Sequence, residues 1–223
     1  MEKGETPRPI STLQFNFRFN VERDMFAPDS VELLIRSGID FAVLQKEGIE
    51  HAVFAEVATM SGLVLNDDVR WICFHGAYDF GYLVKTLCSR NLPKKEADFF
   101  YLLHKYFPSV YDLKVCCIAT GATVIDIDGD CTSTNALSPS QVLLRNVHCI
   151  KGGGLQSLAN ALGVDRVGRN HQAGSDALLT GNVFFKLREQ FFEQLMDEKK
   201  YLNTLYGLGN QQLAQQHHEW YYQ

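Results

Sequence analysis

Residues 69–80 read VRWICFHGAYDF, and the class of fold turns on this run. Val69 to His75 is apolar on both faces, the pattern of a central strand covered from both sides. His75, Gly76 and Ala77 then turn the chain into a helix beginning near Tyr78, and Gly76 lets the backbone turn tightly. A strand feeding directly into a helix is α/β patterning. Asp79 falls just past the carboxyl end of the strand, where open α/β sheets gather their functional groups.

The same alternation continues on both sides. Upstream, Leu13, Phe15, Phe17 and Phe19 alternate with polar neighbours, which predicts a half-buried strand. Asp29, with Glu32 three residues on, predicts an N-cap for a short helix closed by Gly38. A further helix is predicted from about Ala52 to Met60, ending at Gly62. Downstream, Lys95 to Phe107 is expected to be helical and to stop at Pro108. Val110 to Lys114 reads as a short strand, and Leu155 to Leu162 as a helix closed by Gly163. Ser175 is placed to cap a last long helix, about Asp176 to Met196. In it Leu178, Phe185 and Phe192 recur every seven residues, as do Ala177, Phe184 and Phe191, predicting a wide apolar face that packs into the core. From Gln211 to Gln223 the chain is polar and glutamine-rich and reads as a frayed tail.

Length and composition fit this outline. The 223 residues are 46% hydrophobic and 12% aromatic, enough for one large globular domain. The net charge of −5 gives no broad electrostatic footprint for nucleic acid, although a single strand held in a local groove needs none. The six cysteines show no C-x-x-C pair and no histidines at zinc spacing, so buried free thiols in a reducing compartment are expected. No secretory signal or membrane-spanning run is evident, and a soluble intracellular protein is expected. One stretch breaks the rhythm: between Lys114 and Lys151 lies a segment with Ser, Thr, Asn, Gly and Pro139 but no helical period. It reads as an insertion at about 116–148, since so long a structureless connection is unusual in a compact domain.

Two places set an acid where catalysis could use it. Asp79 is one; its bland reading is a first-turn acid that complements the helix dipole. The other is HQAGSD, His171 to Asp176, where a histidine and a carboxylate flank a small turn at a helix start. The bland reading there is again a dipole-complementing acid, beside a surface histidine. Together Asp79, Asp176 and His171 offer two oxygen ligands suited to magnesium and a base that titrates in the right range. Phosphodiester hydrolysis by two metal ions about 3.5–4 Å apart needs more carboxylates than these.

The run RVGRNHQAGSDALLTG, Arg166 to Gly181, resembles the third exonuclease motif of the Caf/Pop-type poly(A) deadenylases, the histidine-type DEDD ribonucleases of the CCR-NOT complex. FAEVATMSGLVLNDDVRWICFHGAYDFGYLVK, Phe54 to Lys85, resembles the second motif. QFNFRFN, FFYLLHKYFPSVYDLK, KGGGLQSLA and YGLG match as well, so the resemblance covers nearly everything except the insertion and the tail. It implies a ribonuclease-H-like exonuclease fold, a mixed sheet flanked by helices, in one deadenylase domain over 1–209 with a flexible tail at 210–223. It implies a poly(A)-specific 3′-to-5′ exoribonuclease that releases 5′-AMP with Mg2+ or Mn2+. Asp79 would match the second-motif metal ligand, Asp176 the last metal ligand and His171 the histidine that activates water. Its implied partners are poly(A) RNA, a large CCR-NOT scaffold subunit and a leucine-rich-repeat deadenylase, in cytoplasm and nucleus. The family's first motif, Asp-x-Glu, belongs upstream of QFNFRFN, where MEKGETPRPIST holds no such pair. An N-terminally truncated domain is therefore expected. Asp126 and Asp128 in TVIDIDGD imitate the pair, but they lie inside the insertion and after the second motif. Two other readings stand beside the deadenylase: an inactive subunit or decoy that binds partners without cleaving RNA, and a proofreading-type DNA exonuclease.

Overall fold

The computed structural model describes residues 12–116, 154–189 and 201–208. Its centre is a pair of parallel strands, β1 (Arg70–Cys73) and β2 (Ser109–Asp112), in register from Arg70 opposite Ser109 to Cys73 opposite Asp112. A parallel pair needs a crossover. The crossover here is two helices, α4 (Ala77–Cys88) and α5 (Glu96–Tyr106), so residues 70–112 form one β–helix–β unit. Before it come α1 (Pro28–Arg36), α2 (Phe41–Glu47) and α3 (His51–Met60); after it, α6 (Leu155–Ala161) and α7 (Ala173–Leu187).

Successive residues of a strand point to opposite faces, and the two faces of this pair found two cores. Trp71, Cys73 and Val110 pack with Ala55, Ala58, Phe80, Val84, Leu87, Leu103 and Phe107, between the sheet and α3, α4 and α5. Trp71 meets the ring of Phe107 edge-on at 4.9 Å, and Phe107 meets Phe80 at 5.0 Å. On the other face Ile72, Phe74 and Tyr111 pack with Leu158, Leu162, Leu179, Val183, Phe184 and Leu187 of α6 and α7. The sheet is therefore sandwiched between helical layers, as its two-sided apolar pattern required. Ala55 and Ala58 let α3 approach α4 closely, because a small side chain keeps the helix surfaces near each other.

Several expectations needed correction. The segment with Phe15, Phe17 and Phe19 is not a regular strand: it makes one parallel bridge, Phe17 to Ile49, while Leu13 and Phe15 remain exposed. It is held by rings instead, with Phe17 4.9 Å from Phe54 and 5.0 Å from His51, and Phe19 5.6 Å from Phe41. Gly48 makes this docking possible, since a Cβ there would lie 2.5 Å from the Arg18 backbone. α1 is not capped by Asp29; Ala27 takes the N-cap position and Pro28 opens the helix, its preset φ and missing N–H costing nothing there. The sequence reading missed α2, whose N-cap is Asp40, accepting from the N–H groups of Ala42 and Val43.

α7 begins at Ala173 with Gln172 as N-cap, so Ser175 lies inside the helix and caps nothing. Its apolar face runs through Leu179, Val183, Phe184 and Leu187, while Phe185 is exposed. The heptad pattern expects both Phe184 and Phe185 inward; with about 100° between successive residues, a buried face centred on Leu179, Val183 and Leu187 takes in Phe184 but leaves Phe185 outside it. The predicted continuation to Met196, the insertion at about 116–148 beyond Cys116, and the tail at 210–223 lie outside the described residues, as do Asp126 and Asp128. Among the described residues no helix is long and apolar enough to cross a membrane.

Candidate active site

The carboxyl end of β1 carries the first candidate. His75 takes a left-handed backbone with φ of 60°, uncommon for a side chain with a Cβ. Gly76 follows at the N-cap of α4, and a Cβ there would meet Cys73 Sγ at 2.5 Å. This turn puts Asp79 in the first turn of α4. The residue remains exposed, yet the protein around its carboxyl, and then the nearby charge of Asp112, push its pKa above the ordinary value; its own backbone N–H and His75 oppose the rise. Beneath it, burial raises the pKa of the Cys73 thiol far out of the reactive range, and Asp112 and Asp79 add to the effect.

A residue the sequence reading passed over organises this turn. Asp112 ends β2 with no exposure to solvent and accepts four backbone N–H groups. Oδ1 takes His75 N at 2.8 Å and Lys114 N at 3.0 Å; Oδ2 takes Gly76 N at 3.2 Å and Tyr206 N at 3.0 Å. The carboxyl group thereby ties the end of β1, the chain after β2 and the 201–208 segment to one point. Tyr206 packs edge-on against His75 at 4.9 Å, with the Lys114 ammonium 4.4 Å from its ring centre. The signal was present in VYDL, an acid closing an apolar strand, which has to be satisfied by something once buried.

The second candidate is built alike. His171 is left-handed, also with φ of 60°, and stands just before α7, whose first turn carries Asp176. Gln172 donates to Ser37 O at 2.6 Å, and Gly174 N donates to Gln14 Oε1 at 3.0 Å, anchoring the turn to the end of α1 and to the N-terminal segment. Asp176 is not free: Arg166 Nη1 donates to its Oδ1 at 2.5 Å. Arg166 also reaches Ser175 Oγ at 3.1 Å and, through Nε, Gln156 Oε1 at 2.6 Å. Each candidate acid thus sits one turn into a helix behind a left-handed histidine, and α7 packs on β1, whose end leads to α4.

These are hard oxygen donors of the kind Mg2+ and Mn2+ take. They are not gathered into a metal centre, however: among the described residues no three His, Cys, Asp or Glu side chains converge as a ligand set. With Asp176 already paired to Arg166, the residues present do not fit a pair of divalent ions.

A model of the CAF1 family ribonuclease matches residues 59–184, a span that contains Asp79, His171 and Asp176. The chain belongs to the CAF1 ribonuclease family. It is 42% identical over 209 residues to the poly(A) ribonuclease pop2 of Schizosaccharomyces pombe, covering 94% of this chain and 54% of that protein. It is 46% identical over 197 residues to the probable CCR4-associated factor 1 homolog 10 of Arabidopsis thaliana, covering 88% of this chain and 60% of the relative. This CAF1-family chain therefore spans between about half and two thirds of the length of these relatives. Among solved structures it resembles S. pombe Pop2p in its Mg2+- and Mn2+-bound form, with a TM-score of 0.68 and 41% identity over 87% of this chain and 66% of that one. It also resembles yeast CAF1 co-crystallized with the NOT1 MIF4G domain, with a TM-score of 0.64 and 26% identity over 86% and 65% of the two chains. The fold is accordingly the ribonuclease-H-like α/β domain of the Pop2/CAF1 nucleases.

Proposed function

We propose that this chain carries the second and third acidic motifs of a poly(A)-specific 3′-to-5′ exoribonuclease, which shortens messenger RNA tails and releases 5′-AMP. The observation that carries this reading is the family match over 59–184, which includes both left-handed histidine turns and their acids. In a complete site Asp79 and Asp176 would be the residues to hold Mg2+ or Mn2+, and His171 would be placed as a base toward water. Bound divalent ions supply charge stabilisation and water activation in such sites. The chain's own contribution is placement: both acids are fixed in the first turn of a helix, behind a turn held by long-range hydrogen bonds. A relative solved with the NOT1 MIF4G domain supports a CCR-NOT scaffold as partner. A leucine-rich-repeat deadenylase as second partner, and action in cytoplasm and nucleus, belong to the same proposal.

A second reading is favoured by the paired state of Asp176 and by the lack of a three-ligand cluster among the described residues. On this reading the chain alone binds partners without cleaving RNA. Both readings meet in one experiment with a 5′-labelled oligo(A) and Mg2+ or Mn2+. The chain by itself is expected to shorten the oligomer negligibly. Joined to the upstream segment of S. pombe pop2, including any Asp-x-Glu it carries, it is expected to gain activity that Asp79→Ala or Asp176→Ala reduces by orders of magnitude. Robust metal-dependent shortening by the chain alone, lost in Asp176→Ala, would overturn the inactive reading; Asp126→Ala and Asp128→Ala would then test whether those acids complete the site. No activity even after the upstream segment is joined would overturn the exonuclease reading.

A further inference from the structure

Arg166 stands in an unusual relation to Asp176. Its side chain is only 11% exposed, whereas that of Asp176 is 37% exposed. The guanidinium is held independently of that acid, by Gln156 on α6 through Nε and by Ser175 through Nη1, while Ser175 Oγ itself donates to Val167 O at 2.7 Å. A planar fork fixed at several points cannot swing away as a lysine would. It takes one acceptor site of Asp176 Oδ1, while Oδ2 has no hydrogen-bond partner among the described residues.

We propose that Arg166 is a built-in counter-cation that competes with a divalent metal ion for Asp176. Two effects oppose each other when Arg166 is removed. The carboxylate loses an orienting partner, which weakens any site that needs its present rotamer. Its negative charge is also no longer offset by a neighbouring cation, and the divalent ion no longer faces a fixed positive charge on the far side of the carboxylate. Across a carboxylate the repulsion between a double and a single charge is the larger effect even when water screens it, by at least about tenfold in affinity. Asp176 is therefore committed to an internal ion pair until enough further negative charge is brought to the site to draw a metal ion in. This inference concerns ion binding by the chain itself and stands whether or not the protein cleaves RNA.

The test is Mn2+ titration of the purified chain, with free ion read by electron paramagnetic resonance and folding checked by circular dichroism. Arg166→Met is expected to bind one Mn2+ about tenfold more tightly than the parent. Arg166→Lys, which keeps the charge, is expected to stay near the parent. Adding Asp176→Asn to Arg166→Met is expected to abolish the gain. Should Arg166→Met not fold, Arg166→Gln supplies a neutral side chain that can still bond Gln156 and carries the same expectation. Equal or weaker Mn2+ binding in the folded neutral variant would overturn the proposal. A gain that survives Asp176→Asn would overturn it too, and so would the absence of Mn2+ binding in every variant.

Discussion

Replacing Asp112 tests the turn that carries Asp79. The carboxyl accepts four N–H groups without access to water, and stranding buried donors costs roughly 1–3 kcal/mol each. Asp112→Ala is expected to destabilise the domain by about 3 kcal/mol or more in urea denaturation. Asp112→Asn keeps the shape but turns an amide N–H2 against N–H donors, so it should recover only part of the loss. Cys73 gives a second check. Its raised pKa leaves almost no thiolate at ordinary pH, and the thiolate is the reacting species. Cys73 should therefore resist iodoacetamide at pH 8 in the folded chain and react at the rate of a free cysteine in denaturant, as peptide mass mapping would show. At this scale the sequence exposed relations between chain neighbours. Asp79 was legible because it trails an apolar strand. The roles of Asp112 and Arg166 were not, because, Lys114 apart, each is defined by groups nine to ninety-four residues away that only the fold brings near.

Periodicity located the helices better than it located their ends. α5 was expected from Lys95 to Phe107 and runs from Glu96 to Tyr106; its pattern spans three turns, and its stop is fixed by Pro108. The caps were misread because capping is a local contest. Asp29 and Ser175 are good cap residues, but Pro28 starts α1 one residue before Asp29, and Ser175 is drawn into α7 and bonds Val167 O and Arg166. The Phe15 to Phe19 alternation read as a strand, yet it is satisfied by ring packing and a single bridge. α5 allows a direct comparison between its faces. Leu103 is fully buried and Tyr101 is 67% exposed. Leu103→Ala is expected to cost about 2–5 kcal/mol, and Tyr101→Ala to change stability by less than about 0.5 kcal/mol, both measured by equilibrium unfolding.

Across the whole molecule, the sandwich is unequal. β1 has β2 on one side and no strand on the other among the described residues, and an open strand edge invites pairing with another chain. α3 turns Val53, Val57 and Met60, one face of a helix, toward solvent. The isolated chain is therefore expected to self-associate, visible as concentration-dependent mass in size-exclusion chromatography with light scattering; a monodisperse monomer with cooperative unfolding would contradict this. The segment read as an insertion is proposed to be dispensable for folding. Joining Val115 to Cys149 should leave the melting temperature unchanged or raise it, and a large drop would refute that boundary. The two-layer covering of the sheet was readable from VRWICF, because two-sided apolarity leaves few alternatives.

The fourth donor to Asp112 comes from Tyr206, 94 residues further along the chain. Translation adds roughly 5–20 residues per second, so on a ribosome the carboxyl waits on the order of ten seconds for that bond. During the wait the turn bearing Asp79 has three of its four tethers, and the strands already synthesised must persist with a buried acid left partly unanswered. The acid that anchors the candidate site is thus completed only well after both strands have been made. A nascent chain halted before Tyr206 would hold the sheet pair but not the finished turn.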